Sequence, residues 1–185
     1  MNVYDFDKTI YDGDSSIDFY FFCLKKHPEI IFCAFKQAFG ILMHAIGKFK
    51  TKKMKEYFFC YLSKLKEPQK LVEAFWQKNE IKIKKWYLDK KHNSDLIISA
   101  SPEFLLEPIC KRLEINSPIA TKMDINSGEI SGENCKGEEK VKRFFEAFTD
   151  GEVDLFYSDS KSDEPLAKLS KKAYIVKKDS LSDWQ

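Results

Sequence analysis

A short apolar run ending in two carboxylates, Val3-Tyr4-Asp5-Phe6-Asp7, is separated from the next strand-like run, Leu96-Ile97-Ile98, by a long stretch of helical texture alone. A first strand that must wait this long for a partner implies a helical insertion into a sheet-based fold. Within the stretch, apolar residues recur at helical spacing: Ile17, Phe21 and Leu24, then Phe32, Phe35 and Phe39, then Met54, Phe58 and Tyr61 or Leu62. His27-Pro28, Gly47 to Thr51 and Lys66 to Pro68 punctuate it into about four helices. Leu71, Phe75 and Trp86 extend the last of these into a long one.

At Asp95 the pattern changes. Leu96-Ile97-Ile98 reads as a buried strand ending in Ser99-Ala100-Ser101-Pro102. Ser101 followed by Pro102 predicts a helix start, with Ser as N-cap and Pro at the first helical position. Phe104, Leu105, Ile109 and Leu113 line that helix, and Pro108 should kink or restart it. Residues 119–123 form a weak strand, and residues 121–132 a small hairpin turning at Asn126-Ser127-Gly128. Lys136 to Phe148 is an amphipathic helix with Val141, Phe144, Phe145 and Phe148 on one face. Strands at 153–157 and 173–176 bracket a short helix beginning at Pro165. Strands separated by helices predict an α/β fold with a doubly wound, mainly parallel Rossmann-like sheet.

Composition narrows the function. The 185 residues suit one domain carrying an insertion. With 31 basic against 29 acidic residues and a net charge of +2, nothing argues for a nucleic-acid partner. Five cysteines without CxxC spacing read as small core residues in a reducing cytoplasm. The N-terminus lacks a basic-then-apolar leader profile. Residues 29–46 come closest to a membrane span, but Lys36, Gln37 and His44 interrupt them, so stable insertion is not expected.

Four polar clusters fall at the ends of predicted strands or at helix starts: Asp5/Asp7/Thr9, Ser99/Ser101, Lys136/Lys140 and Asp159/Asp163. In this order they resemble the haloacid dehalogenase (HAD) superfamily, most closely its phosphoserine-phosphatase-like branch. Asp5-Phe-Asp7-Lys-Thr9 fits the DxDxT motif, and Leu96 to Ser99 the second motif. Asn134 to Lys140 fits the third, and Tyr157 to Asp163 the fourth.

The resemblance implies a core built from residues 1–14 and 89–185, with residues 15–88 as an inserted α-helical cap. It implies that Asp5 attacks phosphorus to give an aspartyl-phosphate and that Asp7 handles the proton. A Mg²⁺ ion would be held by Asp5, Asp159 and the Asp7 carbonyl, with Asp163 a ligand through water or a brace for the lysine. Ser99 and a lysine would hold the phosphoryl oxygens. Lys136 and Lys140 lie one helical turn apart, and either could reach the phosphate, with Lys140 preferred for its place inside the helix. Thr9, Asp14, Ser99 and Ala100 are the expected substrate contacts. Phosphoserine phosphatases also use a cap arginine, yet no Arg precedes Arg112 here; Lys52, Lys53 or Lys55 could take its part.

The expected activity is therefore Mg²⁺-dependent hydrolysis of a small phosphorylated metabolite. Transfer to another acceptor alcohol and non-catalytic binding of a phospho-ligand are the alternatives. The phenylalanines of residues 15–88 have two readings: the core of the helical insertion, which is favoured, or an apolar pocket or patch in peripheral contact with a membrane.

Overall fold

The computed structural model describes residues 1–184. Its strands are β1 (Asn2–Tyr4), β2 (Leu96–Pro102), β3 (Ile119–Thr121), β4 (Val153–Ser158), β5 (Ser170–Lys177) and β6 (Ser180–Asp183). They form one six-stranded sheet in the order β3-β2-β1-β4-β5-β6. All neighbours are parallel except β5 and β6, which form an antiparallel edge. The chain builds outward from β1 to β2 and β3, then returns to the other side of β1 for β4. The crevice at the carboxyl ends of β1 and β4 is therefore the topological switch point, where open α/β sheets bind ligands.

Helices α1 (Ser15–Lys26), α2 (Ala34–Ala45), α3 (Thr51–Phe58), α4 (Pro68–Asn79) and α5 (Lys85–Leu88) lie between β1 and β2, interleaved with 3₁₀ turns at Pro28–Cys33, Phe59–Lys64 and Glu80–Lys82. Helix α6 (Glu103–Arg112) follows β2, α7 (Glu138–Ala147) precedes β4, and α8 (Glu164–Leu169) precedes β5. One buried cluster joins Tyr4 and Ile97 of the sheet to Phe19, Phe75 and Trp76 of the insertion. Tyr4, Tyr157 and Tyr174 stack in a row across β1, β4 and β5, with ring centroids 4.8 and 5.0 Å apart. A second cluster, including Val3, Leu96, Phe144 and Phe156, fills the opposite face of the sheet.

Several boundaries differ from the sequence-based expectation for identifiable reasons. The fourth helix stops at Asn79, because Ile83 pairs with Tyr11 and Lys84 N–H donates to the Ile10 carbonyl, which draws the backbone out of helix. Trp86 belongs to the separate α5. Strand β2 continues through Pro102, so α6 starts at Glu103 with no side-chain cap, and Ser101 is not its N-cap. Pro108 is accommodated inside α6. The hairpin over 121–132 is present and short: the Met123–Ile130 bridge is flanked by Ser131 N–H donating to the Lys122 carbonyl and Asp124 N–H to the Glu129 carbonyl, both at 2.9 Å, with the turn at Gly128. Strand β6 carries no alternating apolar pattern, which is why the sequence does not announce it.

The aromatic residues of the insertion divide. Phe19 and Phe59 are buried core, whereas Phe21, Phe32, Phe35 and Phe39 are exposed. Among the described residues, no helix is long and apolar enough to cross a membrane.

Candidate active site

The turn after β1 carries the first motif into the switch-point crevice. Lys8 adopts a left-handed conformation (φ 59°), and the Phe6 carbonyl accepts from the N–H groups of Thr9, Ile10 and Tyr11. This tight wrap offsets the alternation that would send Asp5 and Asp7 apart along a regular strand. Buried Lys84 holds the turn from behind, its ammonium donating to the carbonyls of Lys8 (2.6 Å) and Lys178 (2.5 Å).

A cleft of about 260 Å³ opens there. Asp5, Asp7, Asp14, Ser99, Ala100, Lys136, Lys140, Asp159 and Asp163 all line it. Of the expected site residues only Thr9 is absent from the lining. It is fully buried, and its hydroxyl accepts from Asp159 N–H at 3.0 Å, which ties the β1 turn to the β4 turn.

Lys140, in the first turn of α7, is almost fully buried. Its ammonium donates to Asp5 Oδ1 at 2.8 Å and to Asp163 Oδ2 at 2.7 Å. Burial alone would lower its pKa, but the two carboxylates carry it above its ordinary value. Burial pushes Asp5 upward, and Lys140 pulls against that. Asp163 also accepts from Ser158 Oγ at 2.8 Å, so it braces the lysine. Lys136 is exposed on the cleft wall, one residue before the Gly137 N-cap of α7 (φ 59°).

Asp7 is held differently. Its Oδ1 accepts from Ser15 N–H at 2.6 Å, at the start of α1, and its Oδ2 from Ser101 Oγ at 2.5 Å. Burial and the nearby Asp14 raise its pKa to about 6, against the lowering effect of the Ser101 and Ser15 contacts. A carboxyl group with this value can both give and take a proton near neutrality. Asp14 caps α1 by accepting from Ile17 N–H at 3.1 Å.

Ser99 lies at the cleft, and its hydroxyl accepts from Ser101 N–H at 3.2 Å. Ser101, which reads as a helix cap in the sequence, and Ser15, which the sequence does not single out, both hold Asp7. A strand continued through Pro102 would have pointed to Ser101, since residues two apart share a face of a strand. From α3, Lys55 reaches across the cleft and donates to the Ala100 carbonyl at 2.7 Å. Burial lowers the Lys55 pKa to about 8.

The oxygen donors suit a hard divalent cation. Among the described residues, no three His, Cys, Asp or Glu side chains are gathered as a metal cluster. The expected set differs from that: the carboxylates of Asp5 and Asp159, the Asp7 carbonyl, and water for the remaining positions, as Mg²⁺ prefers. Burial raises the pKa of Asp159 as well. Carboxylates crowded and desolvated in this way fit a site that a cation would stabilise.

The fold matches solved structures at low identity. A Bordetella pertussis Tohama I protein of unknown function aligns with a TM-score of 0.78 and 17% identity, covering 94% of this chain and 87% of that one. A probable phosphoserine phosphatase from Vibrio cholerae gives 0.65 and 13%, covering 92% of this chain and 54% of that one. A phosphoserine phosphohydrolase-like protein from Francisella tularensis subsp. tularensis SCHU S4 gives 0.56 and 16%, covering 94% and 86%. No curated protein is a significant match by sequence. The family described as haloacid dehalogenase-like hydrolase matches residues 3–168, and with nine-tenths of its length so matched the chain belongs to that family.

Proposed function

We propose that this chain is a Mg²⁺-dependent phosphomonoester hydrolase, with residues 1–14 and 89–185 as its core and residues 15–88 as a cap over the cleft. The observation that carries the reading is the pair of carboxylates at the cleft floor. Asp5 is fixed by a buried lysine, and Asp7 is held by a hydroxyl and a helix N-terminus. The structural likeness to a probable phosphoserine phosphatase and to a substrate-bound phosphoserine phosphatase supports it.

In this reading an Asp5 carboxylate oxygen attacks phosphorus and the P–O bond to the alcohol breaks. Asp7 gives its proton to the departing oxygen. Water then attacks the phosphorus of the aspartyl-phosphate and passes its proton to Asp7. Inorganic phosphate leaves, and the Asp5 carboxylate is restored. Lys140 aims Asp5 and opposes the burial that favours its protonated form, while Ser99 and backbone donors hold phosphoryl oxygens as charge develops. Asp5, Asp159 and the Asp7 carbonyl would hold the Mg²⁺, whose positive charge offsets the repulsion between carboxylate and phosphate. Lys55 takes the place of the missing cap arginine as the cationic contact from the insertion.

A cleft of about 260 Å³ suits a small phosphorylated metabolite rather than a folded phosphoprotein. Five free cysteines are consistent with a reducing cytoplasm. The test is p-nitrophenyl phosphate hydrolysis with and without Mg²⁺. Wild type should release phosphate only with the metal, and Asp5→Asn should be inert. Full turnover by Asp5→Asn would refute the assignment.

A further inference from the structure

Helix α2 is turned inside out. Its buried residues are Gln37 and Gly40, with Gln37 Nε2 donating to the Phe58 carbonyl at 2.8 Å. A methyl group at Gly40 would lie 2.4 Å from Tyr57 Cβ, so the helix presses backbone-close against α3. Its large apolar side chains face outward instead. Phe35 is 85% exposed, Phe39 48% and Leu42 58%. The 3₁₀ turn before it adds Phe32 at 80% and Ile31 at 49%, and Ile46 follows at 58%. Single exposed apolar residues are ordinary, but a contiguous set of this kind marks an interaction surface.

Charge identifies the occupant. Residues 15–66 carry ten lysines against three carboxylates, Asp18, Glu29 and Glu56, a net charge of +7 in a chain whose total is +2. Eight of these lysines are exposed, among them Lys25, Lys36, Lys48 and Lys50. A second copy docking through the same face would bring two segments of like net charge together. An anionic bilayer offers the opposite sign together with an apolar interior; α2 contributes the apolar side chains and Lys36, and the exposed lysines of the flanking segments supply the rest of the positive charge.

We propose that the 3₁₀ turn Pro28–Cys33 and helix α2 form a docking surface for an anionic lipid bilayer, which they enter from one side without spanning it. The proposal is independent of the catalytic assignment. One consequence does rest on that assignment: α3, packed directly behind α2, supplies Thr51 and Lys55 to the cleft wall. Docking therefore holds the cleft near the headgroup layer, within reach of phosphomonoesters carried there.

Flotation with vesicles tests this. The full chain is mixed with vesicles of equal parts dioleoyl phosphatidylglycerol and dioleoyl phosphatidylcholine, or of the latter alone, at low and high salt. Wild type should float with the anionic vesicles at low salt and much less at high salt. Phe32→Ser/Phe35→Ser should bind at least tenfold more weakly while keeping the wild-type circular dichroism spectrum and p-nitrophenyl phosphate turnover. Wild type left in the aqueous fraction overturns the proposal, as does equal flotation by the double variant. Dimerisation that depends on Phe32 and Phe35, in place of vesicle binding, also overturns it. Flotation by a protein without phosphatase activity leaves docking standing and removes the catalytic reading. Dioleoyl phosphatidate in the same vesicles should lose its phosphate faster to wild type than to the double variant; equal rates remove the headgroup consequence.

Discussion

Lys140 meets Asp5 at 2.8 Å in the interior, across 135 residues of sequence, so the first and third motifs are joined by a buried ion pair. Removing one member of such a pair leaves an uncompensated buried charge. Lys140→Met should lower stability by about 3–5 kcal/mol in urea denaturation and abolish turnover. Lys136→Met, which truncates an exposed side chain, should change stability by less than about 0.5 kcal/mol. Equal losses of stability in the two variants would contradict the distinction between these lysines.

Ser101 donates to Asp7, a contact that lowers the pKa of the carboxyl group, which otherwise stands raised at about 6. Ser101→Ala should let it rise further. Asp7 must carry its proton when the alcohol departs, so the alkaline limb of kcat/KM for an alkyl phosphate should move to higher pH. The rate below the limb should fall about tenfold, through loss of a hydrogen bond to a charged group. A pH profile compared with wild type reads both effects.

For Lys55, burial lowers the pKa from its ordinary value to about 8. Its ammonium is present below that pH and lost above it. In wild type, kcat/KM should therefore decline as pH passes 8, in addition to the Asp7 limb. Lys55→Met should raise KM about tenfold at pH 7 with little change in kcat. It should also remove the component of the decline near pH 8. A fall confined to kcat would show that Lys55 does not serve in binding.

Gly40 allows α2 and α3 to approach, since a β-carbon there would overlap Tyr57. Alanine gains helix propensity at an ordinary site, but here the overlap should dominate. Gly40→Ala is expected to destabilise the protein by roughly 1–3 kcal/mol, seen as a lowered Tm. A raised Tm would mean that the two helices are not in close contact.

The sequence made the site more legible than its surroundings. Each cluster lies where a strand or a helix turn delivers it, and this is local information. Asp5 and Asp159 could be placed at strand ends because apolar runs precede them, and Lys140 because it lies on a clear amphipathic helix. Ser101 was misread because Ser-Pro is a helix-start signal, and the pairing that prolongs β2 to Pro102 is a tertiary effect. Ile83 left its helix for the same kind of reason, a bridge to Tyr11. The exposure of Phe32 and Phe35 was hidden too. Helical periodicity shows that a helix has an apolar stripe but not which way the stripe faces.

The most direct measurement traps the covalent intermediate. Wild type turning over p-nitrophenyl phosphate with Mg²⁺ is quenched in acid, reduced with borohydride and mapped by mass spectrometry. Reduction of an aspartyl-phosphate leaves homoserine. The account predicts homoserine at position 5 and nowhere else, and none in Asp5→Asn. Homoserine at another aspartate, or active turnover with no modification at Asp5, would contradict it.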